Sequence, residues 1–170
     1  SGGVLGLVYN ATKDPIAAAE KAKKTEAIKN VLPEFQELKD INMKSAMEDV
    51  ELPFHLAYDA NGNFIGAAVE TFTNKGFSGN ISLMVGILAD GTVNNISVLQ
   101  HAETPGLGSK MSEPSFKDQF NNKHADSFNF NVKKDGGDVD AITAATISSR
   151  AFCDAVNRAI STFENNKGGF

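Results

Sequence analysis

Residues 59–63, Asp-Ala-Asn-Gly-Asn, and residues 89–92, Ala-Asp-Gly-Thr, constrain the fold of this chain more than any other feature. Asn-Gly and Asp-Gly tolerate the positive φ angles that a tight hairpin demands, and each pair lies between apolar, β-rich runs. Residues 54–58 and 64–72 flank the first turn, and residues 81–88 and 93–99 flank the second. Two successive hairpins build an antiparallel sheet, which excludes a doubly wound nucleotide-binding fold. Between them, residues 73–80 (Thr-Asn-Lys-Gly-Phe-Ser-Gly-Asn) read as a loop.

Helical signals lie on either side of this β region. Asp14 offers an N-cap acceptor and Pro15 a first helical residue whose missing N–H is not needed there. Ala, Lys and Glu carry that helix to about Leu32, and Pro33 stops it. A second, weaker helical signal covers 34–39, and 41–52 has no decisive period. After a Gly/Pro-rich loop at 101–113, a short helix is expected over 114–120, a strand over 128–133 and a turn at 134–138. From there the period changes. Ile147, Ala151, Phe152, Ala155, Val156, Ala159, Ile160 and Phe163 recur at three- and four-residue steps, with Arg150, Asp154, Asn157 and Ser161 opposite them. That is an amphipathic helix with one core-facing stripe. The expectation is a single α+β domain, an antiparallel sheet with flanking helices. A chain of 170 residues is long enough for one such domain to bury roughly two-thirds of its unfolded surface.

Several function classes drop out. A net charge of −5 disfavours nucleic acid, whose phosphates require clustered Lys and Arg. Lys21, Lys23 and Lys24 are interleaved with Glu20 and Glu26 and read as a solvated helix face. The single cysteine, Cys153, excludes an internal disulfide, and its place beside the apolar stripe reads as inert packing. His55, His101 and His124 are widely separated with no i, i+4 pair, so no metal site is expected. Ser1-Gly2-Gly3 reads as a cloning remnant. The apolar hexamer from Val4 to Tyr9 reads either as a short strand or as the trimmed end of a membrane helix.

Two stretches carry chemistry. Residues 140–151, Asp-Ala-Ile-Thr-Ala-Ala-Thr-Ile-Ser-Ser-Arg-Ala, set Thr143 and Thr146 at or just before the first turn of the last helix. Backbone amides without intrahelical partners and the positive end of the helix dipole favour an anion there, and small side chains let one approach. A solvated loop with Thr146 as helix cap accounts for the same residues. The lysine of a triphosphate-cradling loop is missing. The other stretch is His101 to Lys110, in which Gly106 and Gly108 flank Leu107. It suits close backbone approach to a flat ligand, or simply a turn with one leucine tucked into the core.

Residues 76–87 (Gly-Phe-Ser-Gly-Asn-Ile-Ser-Leu-Met-Val-Gly-Ile), 101–108 (His-Ala-Glu-Thr-Pro-Gly-Leu-Gly) and 140–151 together resemble the FMN-binding domain of two related membrane proteins. These are the G subunit of the Rnf electron-transport complex and the C subunit of the sodium-translocating NADH:quinone oxidoreductase; the Rnf protein is the more similar. The resemblance implies a covalent flavin: an extracytoplasmic flavin transferase joins FMN, taken from FAD, through a phosphoester to the second hydroxyl residue of a Ser/Thr-Gly-Ala-Thr element. Carried over, the acceptor is Thr146, Thr143 is the first hydroxyl, Ala144 stands where the family has glycine, and Ala145 and Ile147 complete the surroundings. Asp140 would be the acidic residue that the transferase recognises. The flavin ring would lie against Thr104, Gly106, Leu107 and Gly108.

The resemblance further implies an N-terminal transmembrane helix ending within residues 1–9, an FMN-binding domain over 10–170, and a location on the extracytoplasmic side of the inner or plasma membrane. The other subunits of the complex and the transferase would be its partners. The domain would relay electrons within a ferredoxin–NAD oxidoreductase coupled to ion transport, with no residue acting as general acid or base. Two other readings are a non-redox binding module of the same fold and a flavin carrier for another extracytoplasmic reductase.

Overall fold

The structure, a computed structural model, describes residues 19, 21–45 and 49–167. The apolar stub at Val4–Tyr9 and the Asp14-Pro15 helix start lie outside the described residues. Five strands form one antiparallel meander, β1 (Glu37–Lys44), β2 (Glu51–Tyr58), β3 (Phe64–Gly76), β4 (Gly79–Leu88) and β5 (Val93–Gln100), in spatial order β1-β2-β3-β4-β5. Both expected turns are present. Gly62 and Gly91 take φ of 78° and 93°, and the Asp59 carboxylate accepts the amides of Asn61 and Asn63. Those backbone bonds, chiefly from Asn63, hold the Asp59 carboxyl below its ordinary pKa.

Three expectations are corrected. Residues 73–80 are not a loop between hairpins. β3 and β4 continue through them, pairing Thr73 with Ile81 and Gly76 with Gly79, so only Phe77 and Ser78 turn the chain. The helical signal at 34–39 gives way to β1. Leu38 packs on one face of the sheet and Ile41 and Met43 on the other, a period of two that follows from pairing with β2 and overrides local propensity. Residues 128–133 form no strand. Their alternating Phe128, Phe130 and Val132 do pack into the core, but the backbone folds back on 138–139, with Asp138 and Val139 donating to the carbonyls of Asn129 and Asn131.

One helix covers each face of the sheet. Helix α1 (21–31 as described) sets Ala27, Ile28 and Val31, with Leu32 just beyond it, against Ala57, Ala68 and Met84. Its C-terminal carbonyls at Asn30 and Val31 accept from the Asn95 and Asn94 side chains, and Gly86 clears the space it occupies, because a Cβ there would strike the Val31 carbonyl. On the other face, after the short α2 (Pro114–Lys117), comes α3 (Thr146–Asn166). Its Ala151, Ala155 and Ala159 allow close approach, while fully buried Phe152 and Phe163 each contribute on the order of 2 kcal/mol by burial. The buried Arg158 is accommodated by the Phe72 carbonyl and ring and by Asp154. The stripe read from sequence holds except at its first member: Ile147 is 49% exposed. Among the described residues no helix is long and apolar enough to cross a membrane.

Candidate functional site

Three segments distant in sequence meet where α3 begins. They are the Phe77 turn of the β3–β4 hairpin, the loop after β5, and residues 144–148, which together line a cleft of about 350 Å³. Thr104, Leu107 and Gly108 come from the loop, and Ala144, Ala145, Thr146, Ile147 and Ser148 from the helix start. Leu107 is therefore not tucked into the core; it is 40% exposed and faces the cleft. Among the described residues the exposed large apolar side chains are Phe77, Leu107 and Ile147, and all three line this one cleft. No charged side chain does so among the described residues. Gly106 is in the loop but not on the cleft wall. It supplies the turn, at φ 77°, and its amide donates to Ser109 Oγ.

The helix start is built to leave its amides free. Ala145 is the N-cap residue and no side chain caps the helix, so Thr146 does not serve as a cap. The first backbone bond runs from Ser149 N to Ala145 O, which leaves the amides of Thr146, Ile147 and Ser148 without a protein acceptor among the described residues. Ser149 is spent on local structure: its Oγ accepts from Ile142 N at 2.8 Å and donates to Ala145 O at 2.9 Å. Ala144 is at φ 61°, a left-handed conformation that an L side chain adopts only with strain. The position at which the sequence resemblance anticipates glycine is thus one whose backbone favours glycine.

The four hydroxyls separate clearly. Ser148 and Ser149 are buried and hydrogen-bonded. Thr143 is exposed but lines a different cavity, with Asp140, Gln119 and Lys110. Only Thr146 combines partial exposure, a place in the apolar cleft and a hydroxyl with no protein partner among the described residues. Asp140 also stands apart from the cleft. Its carboxylate pairs with Lys133 at 2.6 Å, which raises the lysine's pKa, and its backbone is clasped at N and O by the Gln119 amide.

Two residues of the site have no place among the sequence candidates. Phe77 lies in a stretch that reads as loop, although an aromatic in a Gly-Phe-Ser-Gly turn is itself a signal. Glu103, 4% exposed, lies under the cleft and joins all three segments. Its carboxylate accepts from Phe77 N at 2.8 Å, Ser78 N at 2.7 Å and Ser148 Oγ at 3.0 Å. Cys153 takes no part: burial pushes its thiol up to about 12.

The profile of a family described as the FMN-binding domain matches residues 76–161, which contain all three cleft segments. The chain is 36% identical to the G subunit of the ion-translocating oxidoreductase complex of Aliivibrio fischeri, an alignment covering 91% of this chain and 79% of that one. Its identity to the protein of the same name in Methanosarcina acetivorans is 35%, over 97% of this chain and 88% of that one. Among solved structures, the C subunit of the Na+-translocating NADH-quinone reductase of Parabacteroides distasonis shares the fold. The TM-score is 0.58 at 19% identity, covering 81% of this chain and 79% of that one.

Proposed function

The chain belongs to the FMN-binding domain family that includes the G subunit of the ion-translocating oxidoreductase complex, and from that premise we propose that it is an electron-carrying subunit bearing FMN as a phosphoester on Thr146. The observation that carries this reading is the situation of the Thr146 hydroxyl, unpartnered among the described residues in an apolar cleft beside the free amides of a 21-residue helix. The residues present fit the group. Amides and dipole suit a phosphate, Phe77, Leu107 and Ile147 suit a flat ring, and the cleft volume lies within the roughly 300–1,000 Å³ usual for ligand sites.

Attachment would join the Thr146 oxygen to the flavin-side phosphorus of FAD. The bond to the AMP half breaks, AMP leaves, and the hydroxyl proton passes to the transferase or to water. Once bound, the flavin supplies one- and two-electron chemistry, and the chain holds the ring and sets its surroundings. Asp140, outside the cleft and exposed, would mark the acceptor segment for the transferase. Thr143 would shape that segment without accepting the flavin. The domain would relay electrons between other subunits of a membrane complex, on its extracytoplasmic side, tethered by an N-terminal helix preceding the described residues.

Intact mass and peptide mapping test this after co-expression with a flavin transferase and export from the cytoplasm. Wild type and Thr146→Ser are expected to gain FMN on residue 146, the serine variant less completely, and Thr146→Ala to gain none. FMN on Thr143, Ser148 or Ser149, or full labelling of Thr146→Ala, would overturn the assignment.

A further inference from the structure

Phe77 is 67% exposed at the tip of a hairpin. A turn between Gly76 and Gly79 needs no apolar side chain there, so the ring contributes little to folding. Its backbone is nonetheless tied down from below, because Phe77 N and Ser78 N both donate to the Glu103 carboxylate. That carboxylate is buried and has no cationic partner among the described residues, and neutral donors satisfy it, including Ser148 Oγ from the first turn of α3. A buried charge without a counter-charge is costly, and a turn this short can close without one. Space has been cleared for it as well. A Cβ on Gly76 would meet Glu103 Oε1 at 2.8 Å, and one on Gly108 would meet Glu103 Cβ at 2.7 Å.

We propose that Phe77 is an outer wall of the ring site, shielding the flavin ring from solvent together with Leu107, and that Glu103 is the positioning residue that holds this wall against the start of α3. The inference rests on the reading of the cleft as the FMN site. Glu103 touches no ligand itself. It acts through the Phe77 turn, the loop that carries Leu107, and Ser148, so that the three cleft segments move as one body. Replacement by glutamine leaves one acceptor oxygen and turns an amide donor toward an N–H that had an acceptor, so one of the three charge-assisted bonds is lost and the other two are weakened.

Two measurements separate this inference from the reading beneath it. In the unmodified chain, amide exchange at Phe77 and Ser78 is expected to quicken by roughly 10- to 100-fold in Glu103→Gln while exchange in central β3 and β4 is unchanged. Unchanged exchange at both amides overturns the role of Glu103. In the flavinylated chain, peptide mapping first establishes FMN on Thr146, and iodide quenching of flavin fluorescence then reads ring access. Phe77→Ala, an exposed truncation that leaves the core intact, is expected to raise the quenching constant about two-fold or more, Phe77→Tyr to restore it, and Glu103→Gln to raise it by less than Phe77→Ala. Flavin on Thr146 with equal quenching in wild type and Phe77→Ala overturns the wall while the functional reading stands. Absence of flavin from the wild-type chain removes both.

Discussion

Ala144→Gly is expected to stabilise the protein, which is unusual for a change that introduces glycine. Ala144 is at φ 61° on an exposed surface, and an L side chain in that region is strained by roughly 1–2 kcal/mol. Glycine removes the strain but gives the unfolded chain more freedom, which offsets about 0.4–1 kcal/mol. The difference is a net gain of about 0.5–1 kcal/mol, and in a domain of this size 1 kcal/mol moves Tm by about 2–4 °C. The expected rise is therefore about 1–4 °C by calorimetry. Ala141→Gly is the control, because Ala141 is exposed nearby and does not have positive φ. It should lower Tm, since only the entropic part applies. If Ala144→Gly lowers Tm as much as Ala141→Gly, the left-handed strain on which this rests is not there. The flavinylation yield should also rise with Ala144→Gly, because the acceptor segment then reaches its native turn without strain.

Two further predictions concern the face of the sheet away from the cleft. His55 sits between Asp40, at 2.7 Å, and Glu70, at 2.9 Å, and Glu70 also pairs with Lys24 of α1 at 3.1 Å. Burial acts to lower the His55 pKa, but the hydrogen bonds and charges of the two carboxylates outweigh it and the net shift is upward from 6.5. Stability from a raised pKa is fully present below the unfolded value and is lost as pH rises through the folded one. The Tm deficit of His55→Gln should thus be largest near pH 6 and shrink at higher pH; a deficit constant from pH 6 to 9 would remove the imidazolium from the account. Gly86→Ala forces a methyl onto the Val31 backbone. It should cost roughly 1–3 kcal/mol in urea unfolding and release exchange protection in α1, whereas wild-type stability with α1 still protected would mean that the helix does not bear on Gly86.

What the sequence discloses follows from the range of each interaction. Asn61-Gly62 and Asp90-Gly91 announce their turns because the positive φ is settled within the turn itself. The α3 stripe is equally local, and its one error, Ile147, falls at the helix end where the cleft replaces the core. The first residues of β1 read as helix because Glu37, Leu38 and Lys39 suit one in isolation, and its remainder has no decisive period; only the ladder to β2 makes the segment a strand. The same holds for the site. Thr146, Leu107, Glu103 and Phe77 all stand in the quoted motifs, but the link from Glu103 to Phe77 joins residues 26 apart through a turn that reads as loop. A buried carboxylate answered by backbone amides has no sequence pattern of its own.

The shape of the cleft explains why an ester would be needed at all. A free FMN dianion entering it would meet amides and a hydroxyl but no lysine or arginine, since no charged side chain lines the walls among the described residues. The loop that cradles a free triphosphate adds a lysine to the helix start. The walls are apolar, yet the three large side chains forming them remain 40–67% exposed, so they would enclose a flavin ring only partly. Weak, reversible affinity follows, and attachment through Thr146 would offset it by holding the ring at an effective concentration in the millimolar range. Unmodified protein titrated with free FMN should accordingly show no saturable quenching below about 100 µM, corresponding to binding weaker than roughly −5.5 kcal/mol. Riboflavin, which lacks the phosphate, should bind no more than a few-fold more weakly, because the amides alone supply little in water. A dissociation constant for free FMN near 1 µM would mean that the cleft needs no covalent bond, and the link between its open, uncharged walls and the Thr146 ester would have to be abandoned.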